Sequence, residues 1–125
     1  MFGRGKRLSR NARRRLSHQQ METVQTCIDR GRELYNSRSY SAAIEQFRQA
    51  VTIDPYNQRA FYFLANACYK ANERNLAVAY WEQCVSANPL TRFASLAKRK
   101  IQHVHKQRRA HQDELDELYN QVGGR

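Results

Sequence analysis

Apolar residues recur along most of the chain at the three- and four-residue spacing of amphipathic helices. Ala43, Phe47 and Ala50 stand at i, i+4 and i+7, which places them on one helical face. Pro55 ends this run, because it lacks an N–H group and its ring clashes with a preceding helical turn. The pattern predicts no strand, and it predicts helices over residues 22–37, 41–53, 58–71, 75–87 and 92–121.

The same pattern returns at a fixed interval, the repeat period, which separates Pro55 from Pro89. The same interval separates Asn57 from Thr91, and both are good N-caps for the helix that follows. The period pairs Gly31 with Ala65, Leu34 with Cys68, Tyr35 with Tyr69, Ala43 with Ala77, Phe47 with Trp81 and Ala50 with Cys84. A fixed period of this kind is typical of stacked helical repeats. We therefore expect Phe47 and Trp81 to be buried at equivalent places.

The spacing of Ala43, Phe47, Ala50 and Pro55 resembles that of the tetratricopeptide repeat (TPR) family. The resemblance covers two copies, residues 24–57 and 58–91. It implies an all-α fold of the α-solenoid type, in which antiparallel helix-turn-helix repeats are followed by a long C-terminal capping helix over residues 92–121. The repeat domain then spans residues 21–121, between a basic tail over residues 1–20 and a flexible C-terminus over residues 122–125.

The last predicted helix is longer than a repeat helix and has two possible roles. Its first part, from Phe93 to Val104, can cover the apolar face of the second repeat, since two repeats alone fall short of the three usually needed. It also carries a seam of alternating four- and three-residue spacings. The seam consists of Ala97, Ile101, Val104, Arg108, His111, Leu115, Leu118 and Val122. Bases flank its first half and acids its second, which would favour an antiparallel homodimer.

The resemblance also implies a ligand groove, because the first helices of tetratricopeptide repeats line one. Carried over by repeat phase, the groove residues are Gln25, Ile28, Arg32, Tyr35, Asn36, Arg59, Tyr62, Phe63, Asn66, Tyr69 and Lys70. Aromatic residues and arginine are enriched at interface hot spots, so a peptide surface is plausible. The family's carboxylate clamp needs a Lys and two Asn where Ile28, Arg32 and Phe63 stand here, which argues against a chaperone C-terminus as the ligand.

Charge is concentrated at the two ends of the chain. Residues 1–20 carry seven bases and no acid, residues 21–90 seven of each, and residues 91–125 eight bases and four acids. The basic residues of the tail are Arg4, Lys6, Arg7, Arg10, Arg13, Arg14 and Arg15. They could bind nucleic acid or an anionic membrane surface, or form a solvated tail with no specific role. Their pattern also resembles a mitochondrial import peptide, although the apolar face is poor. Met21 is a possible alternative start.

Other chemistry finds little support in the sequence. There is no phosphate loop, nucleophile elbow or carboxylate pair at a turn, so we expect neither an enzyme nor a cofactor. His103 and His105 are two residues apart and diverge on a helix, which argues against a metal site. Three unclustered cysteines predict buried free thiols in a reducing compartment, and we expect a cytoplasmic protein without a transmembrane segment.

Two functions follow from these patterns. The first is a protein–protein interaction scaffold that binds a peptide segment in the aromatic and basic groove. The alternative is a polyanion-binding accessory protein, which would hold RNA, DNA or acidic lipid with its tail and C-terminal helix.

Overall fold

The computed structural model describes residues 15–123. This part of the chain forms five α-helices and no strand, as predicted. The helices are α1 (His18–Asn36), α2 (Tyr40–Ile53), α3 (Gln58–Lys70), α4 (Arg74–Ala87) and α5 (Arg92–Gln121). Each helix packs mainly against its neighbours along the chain, while α1 also contacts α3 and α3 contacts α5. The all-α repeat architecture expected from the repeat period is confirmed.

The turn inside each helix pair has the same geometry in both repeats. Arg38 and Asn72, one repeat period apart, adopt left-handed backbone conformations with φ of 65° and 67°. One residue further on, the backbone N–H of Ser39 donates to the carbonyl of Leu34 at 2.8 Å. The N–H of Glu73 donates to the carbonyl of Cys68 in the same way, at 2.9 Å. This closed C-terminal turn reverses the chain over a short connection.

The turns that follow each pair are also equivalent. The Asn57 side chain accepts from the N–H of Ala60 at 3.0 Å, and Thr91 Oγ1 accepts from the N–H of Ala94 at 3.1 Å. Both predicted N-caps are therefore confirmed. Gln58 joins the two turns, because its Nε2 donates to the carbonyl of Asn88 at 2.8 Å and its Oε1 accepts from Thr91 Oγ1 at 2.8 Å.

The core is built from large aromatic side chains that lie beside small residues. Phe47 and Trp81 are each 1% exposed, which confirms their predicted burial at equivalent places. Ala43 and Ala77 are fully buried and allow neighbouring helices to approach closely. The three cysteines are free and buried, as expected.

The first part of α5 completes this core. Ala97 and Val104 are buried in it, and Phe93, Leu96 and Ile101 pack against it. The predicted capping helix is thus confirmed. From His105 to Val122, in contrast, every residue of α5 and its C-cap is exposed.

Helix α1 begins earlier than expected. The Ser17 side chain accepts from the N–H of Gln20 at 3.0 Å, and the Gln20 side chain accepts from the N–H of Ser17 at 2.9 Å. This reciprocal capping box sets the start of the helix at His18, inside the range that the sequence assigns to the basic tail.

Candidate functional site

Two pockets lie along the surface formed by α1, α3 and α5, and we call this surface the groove. The first pocket, of 190 Å³, is lined by Arg32, Tyr35, Asn36, Phe47, Phe63 and Asn66. The second, of 370 Å³, is lined by Tyr69, Trp81, Leu96, Arg99, Lys100, His103 and Val104. Both have an aromatic floor and a basic rim.

The two pockets are copies of one another, one repeat apart. A step of one repeat period carries Tyr35 to Tyr69, Phe47 to Trp81 and Asn66 to Lys100. Each pocket therefore has a tyrosine from the first helix of a repeat and a buried aromatic ring from the second helix. The helical phase that buries Phe47 and Trp81 in the core also places their ring edges at the bottom of the groove.

Phe63 organises the first pocket. Its ring lies 5.8 Å from the ring of Phe47, centroid to centroid. The guanidinium carbons of Arg32 and Arg59 lie 5.3 Å and 5.6 Å from its centroid, within the range of cation–π attraction. Both guanidinium groups are thereby held at the pocket, and their forked N–H donors suit a carboxylate in bidentate fashion.

Asn66 and Tyr35 complete the first pocket's polar chemistry. The indole Nε1 of Trp81 donates to Asn66 Oδ1 at 3.1 Å, so the amide NH₂ is the part turned away from the indole. The Tyr35 ring packs edge-on against Tyr40 at 5.4 Å. Burial, followed by the neighbouring phenols of Tyr40 and Tyr62, raises the pKa of Tyr35, which therefore remains a neutral hydroxyl at physiological pH.

Tyr69 belongs to the second pocket. Its ring lies 5.8 Å from Trp81, its hydroxyl lies 3.2 Å from Gln107 Oε1 on α5, and the Arg74 guanidinium carbon lies 5.6 Å from its centroid. The hydroxyl can donate to that oxygen, which ties α5 to α3 at the pocket wall. Arg99 and Lys100, both exposed, form the rim above these rings.

The structure does not bring all eleven predicted groove residues together. Ile28 is 1% exposed and lies in the core rather than on the groove. Tyr62 is also buried, 8% exposed, with its ring 5.6 Å from Phe93. Gln25 and Lys70 are exposed but line neither pocket, and Gln25 donates to Asp29 at 2.9 Å.

Sequence reasoning missed the α5 side of the second pocket, which supplies five of the seven residues that line it. These five are Leu96, Arg99, Lys100, His103 and Val104, and α5 was expected to cap the repeats or to form a dimer seam but not to line the groove. The signal was present nonetheless, since the repeat period carries Asn66 to Lys100 and Tyr69 to His103. Helix α5 continues the repeat phase although no partner helix follows it within the described residues.

The predicted polyanion-binding residues lie almost entirely outside the described part of the chain. Of the seven, Arg15 alone falls within residues 15–123, and it is exposed. Within those residues, no three side chains of the metal-binding types lie together. None of the five helices combines the length and the apolar character needed to cross a bilayer.

Comparison with known families now adds to this geometry. A family model described as the bacterial transcriptional activator domain (BTAD) matches residues 2–90, well over half of the chain. The chain belongs to this family. The BTAD family is helical and TPR-like, in agreement with the two repeats seen here. No curated protein matches the chain.

The BTAD match includes the first pocket of the groove but only part of the second. It covers α1 to α4, and with them every residue that lines the first pocket. It ends at residue 90, just before α5 begins at Arg92. The basic rim of the second pocket therefore belongs to the part of this chain that the family match does not include.

Proposed function

We propose that this chain is a protein-interaction module of a transcriptional regulator, and that it binds a peptide segment of another protein in the groove. The observation that carries the proposal is the repetition of one pocket in successive repeats. Each pocket offers an aromatic floor for an apolar side chain and basic donors at the rim. The module acts by binding and not by catalysis. We place it in the cytoplasm, where a regulator of bacterial transcription acts.

The chemistry of the first pocket selects the kind of peptide. Phe63 is half-buried, so an apolar side chain laid against it loses water at both surfaces. Arg32 and Arg59 stand over the same ring and favour a carboxylate beside that apolar group. We infer a ligand in which an acidic residue adjoins an aromatic or aliphatic one.

Likeness to tetratricopeptide repeats proper supports the same function. Ala43, Phe47, Ala50 and Pro55 match that repeat's pattern, and tetratricopeptide repeats bind extended or helical segments along the surface of their first helices. Here α1, α3 and α5 form that surface. An extended peptide can lie across all three helices and contact both pockets.

The test is a display selection of random peptides on the full chain, followed by anisotropy titrations of the enriched sequences. We expect enriched peptides to place an acid next to an apolar residue. Arg32→Ala and Arg59→Ala should each weaken binding by about fivefold or more, as at interface positions worth over about 1 kcal/mol. Helical content should not change, because neither side chain is buried.

Arg30→Ala is the matched control for these two variants. Arg30 is exposed on α1 and lies two positions from Arg32, roughly 200° round the same helix. It should bind the selected peptides as tightly as the unaltered chain does. Equal loss in Arg30→Ala and Arg32→Ala would contradict a groove ligand, and so would a selection that enriches no sequence.

Polyanion binding is the second candidate, and the exposed bases of α5 favour it. Arg99, Lys100, Lys106 and Arg109 are exposed and have no carboxylate within ion-pair distance among the described residues. Fluorescent duplex DNA titrated at several salt concentrations separates the two functions. Each phosphate contact contributes about −0.9 to the slope of log affinity against log salt, whereas peptide binding in the groove changes far less.

A further inference from the structure

The distal half of α5 is an apolar stripe that no described residue covers. Leu115, Leu118, Tyr119 and Val122 are 45%, 55%, 64% and 81% exposed. The helix continues unbroken from the core to Gln121, so at about 1.5 Å per residue its part beyond Val104 extends some 25 Å. A lone surface leucine is ordinary, but four large side chains on one stripe indicate a contact surface.

The charges on this helix are separated and are not neutralised within the described chain. Four acids lie in the distal segment, namely Asp113, Glu114, Asp116 and Glu117. The stretch before it, residues 98–109, carries six bases and no acid, namely Lys98, Arg99, Lys100, Lys106, Arg108 and Arg109. Among residues 15–123, the ion pair within 4.0 Å is that of His18 with Glu22, far from both halves. Residues 98–109 of α5 therefore present unpaired positive charge, and residues 113–117 present unpaired negative charge.

The distal segment has the chemistry that the second pocket lacks. The pocket has an apolar floor that includes Trp81 and Leu96, under a rim formed by Arg99 and Lys100. The segment has apolar side chains flanked by acids, because Glu114 and Asp116 stand one position to either side of Leu115. A straight helix cannot turn its own end back onto its own beginning. The complementary pair can meet only between two molecules.

We infer that the occupant of the second pocket is the acidic distal segment of α5 from a second copy of this chain. The two copies exchange segments reciprocally, each placing residues 113–119 over the Arg99 and Lys100 rim of the other. This inference rests on the proposed function, since it fills the second pocket of the same groove. It leaves the first pocket open for the peptide of another protein.

The arrangement is a two-fold antiparallel pair of α5 helices. Residues 96–104, which line the pocket, and residues 113–119 are centred on either side of Arg108, so the symmetry axis passes close to it. The Arg108 guanidinium donates to Asn75 Oδ1 on α4, which holds that charge on its own copy. The basic stretch of each α5, residues 98–109, then lies beside the acidic stretch, residues 113–117, of the other.

Charge reversal on the full chain tests the exchange by sedimentation. Glu114→Lys/Asp116→Lys reverses the segment, and Arg99→Glu/Lys100→Glu reverses the rim. Each variant alone sets like charges against one another in both contacts, so its dimer should weaken by more than about tenfold. An equimolar mixture of the two should recover the unaltered affinity in its mixed dimer, where the contact between the two reversed surfaces is again opposite in sign. The unaltered dimer should weaken in about 1 M salt, where the Debye length falls to about 3 Å.

The matched control carries the same change of net charge on the other side of the helix. Asp113 and Glu117 lie roughly 160° round the helix from Leu115, so Asp113→Lys/Glu117→Lys should weaken the dimer much less than the flanking pair. A chain that remains monomeric up to millimolar concentration overturns the inference. So does a dimer that loses equal affinity in both lysine variants, or a mixture that does not recover.

A synthetic peptide of residues 110–122 separates this failure from failure of the groove itself. It is titrated against Glu114→Lys/Asp116→Lys, whose rim is intact and whose own segment is repelled. Peptide binding with a monomeric full chain overturns self-association while the groove function stands. If the chain forms the dimer but the display selection yields no ligand for the first pocket, the segment exchange stands and the proposed function is overturned.

Discussion

Gly31 shows how a single atom sets the distance between α1 and α2. A Cβ placed on Gly31 would lie 2.5 Å from Cε1 of Phe47, whose ring is 1% exposed and has little room to move. Elsewhere in a helix, Ala in place of Gly gains about 1 kcal/mol. Here the overpacking, at about 1–3 kcal/mol, opposes that gain. We expect Gly31→Ala to lower the free energy of unfolding by up to about 2 kcal/mol in urea titrations.

The second repeat provides the control for this prediction. Ala65 stands one repeat after Gly31 and is fully buried, so the same position tolerates a methyl group there. Ala65→Gly should therefore destabilise, although it makes the reverse change. In a Phe47→Leu background, Gly31→Ala should cost less, because the two sites are coupled through the clash. An unfolding free energy that rises in Gly31→Ala would contradict the packing described.

The fold changes the acidity of two buried thiols, those of Cys68 and Cys84. Burial raises the pKa of Cys68 and of Cys84 to about 11, from 9.0 for an exposed thiol. At pH 8 about one part in a thousand is thiolate, the reactive form. Labelling of these two thiols should be slow in the native protein and fast in urea. Rapid native labelling of all three cysteines would contradict their burial.

The same shift predicts how stability changes at high pH. Because the folded pKa values lie above the unfolded one, the contribution of these thiols is fully present below pH 9 and is lost as pH rises through 11. The free energy of unfolding should fall across that window. The decline should be shallower in a Cys68→Ala/Cys84→Ala variant, which lacks both thiols.

Among single residues, burial was more predictable than pocket lining. Phe47 and Trp81 follow from the period, because equivalent positions in stacked repeats meet the same neighbours. Ile28 and Tyr62 were misplaced, since helical phase carries an uncertainty of one position and neighbouring positions are about 100° apart. That angle is enough to move a side chain from the groove to the core.

At the level of elements, the start of α1 yields the clearest expectation. A variant that begins at Met21 lacks both Ser17 and Gln20, and with them both hydrogen bonds of the capping box. We expect it to lose about 1 kcal/mol of stability relative to a variant that begins at Arg15. Ser17→Ala in the full chain should cost about the same, measured by thermal unfolding, whereas Ser9→Ala, outside the box, should not.

Helix ends were predictable where the cap follows a visible break in the pattern. Asn57 and Thr91 each come two positions after a proline, so the start of α3 and of α5 could be assigned from sequence. Ser17 lies just after a run of arginines, and the capping box was not recognised because this stretch was assigned to the basic tail. Helix α5 was assigned correctly in extent, but its groove face was not recognised because its repeat is incomplete.

The whole molecule follows from one period, which is why its fold could be predicted and its site only in part. Stacking repeats in fixed phase determines the helix order and the core. A pocket depends in addition on which helices flank it, and the second pocket needs α5, which lies outside the two repeats assigned from sequence. The identity of the ligand cannot be inferred from the repeat period.

Packing between successive helices also bears on how the protein assembles during synthesis. Each helix is covered mainly by its immediate neighbours along the chain. At about 5–20 residues per second, the ribosome adds a helix of about 14 residues in roughly one to three seconds. The apolar face of a newly made helix is therefore exposed for only a few seconds before the next helix can pack on it. The main helix contacts form between neighbours and need no distant C-terminal segment. The nascent chain can pack each helix against the one before it as it emerges, and among residues 15–123 the distal half of α5 is the surface that stays uncovered.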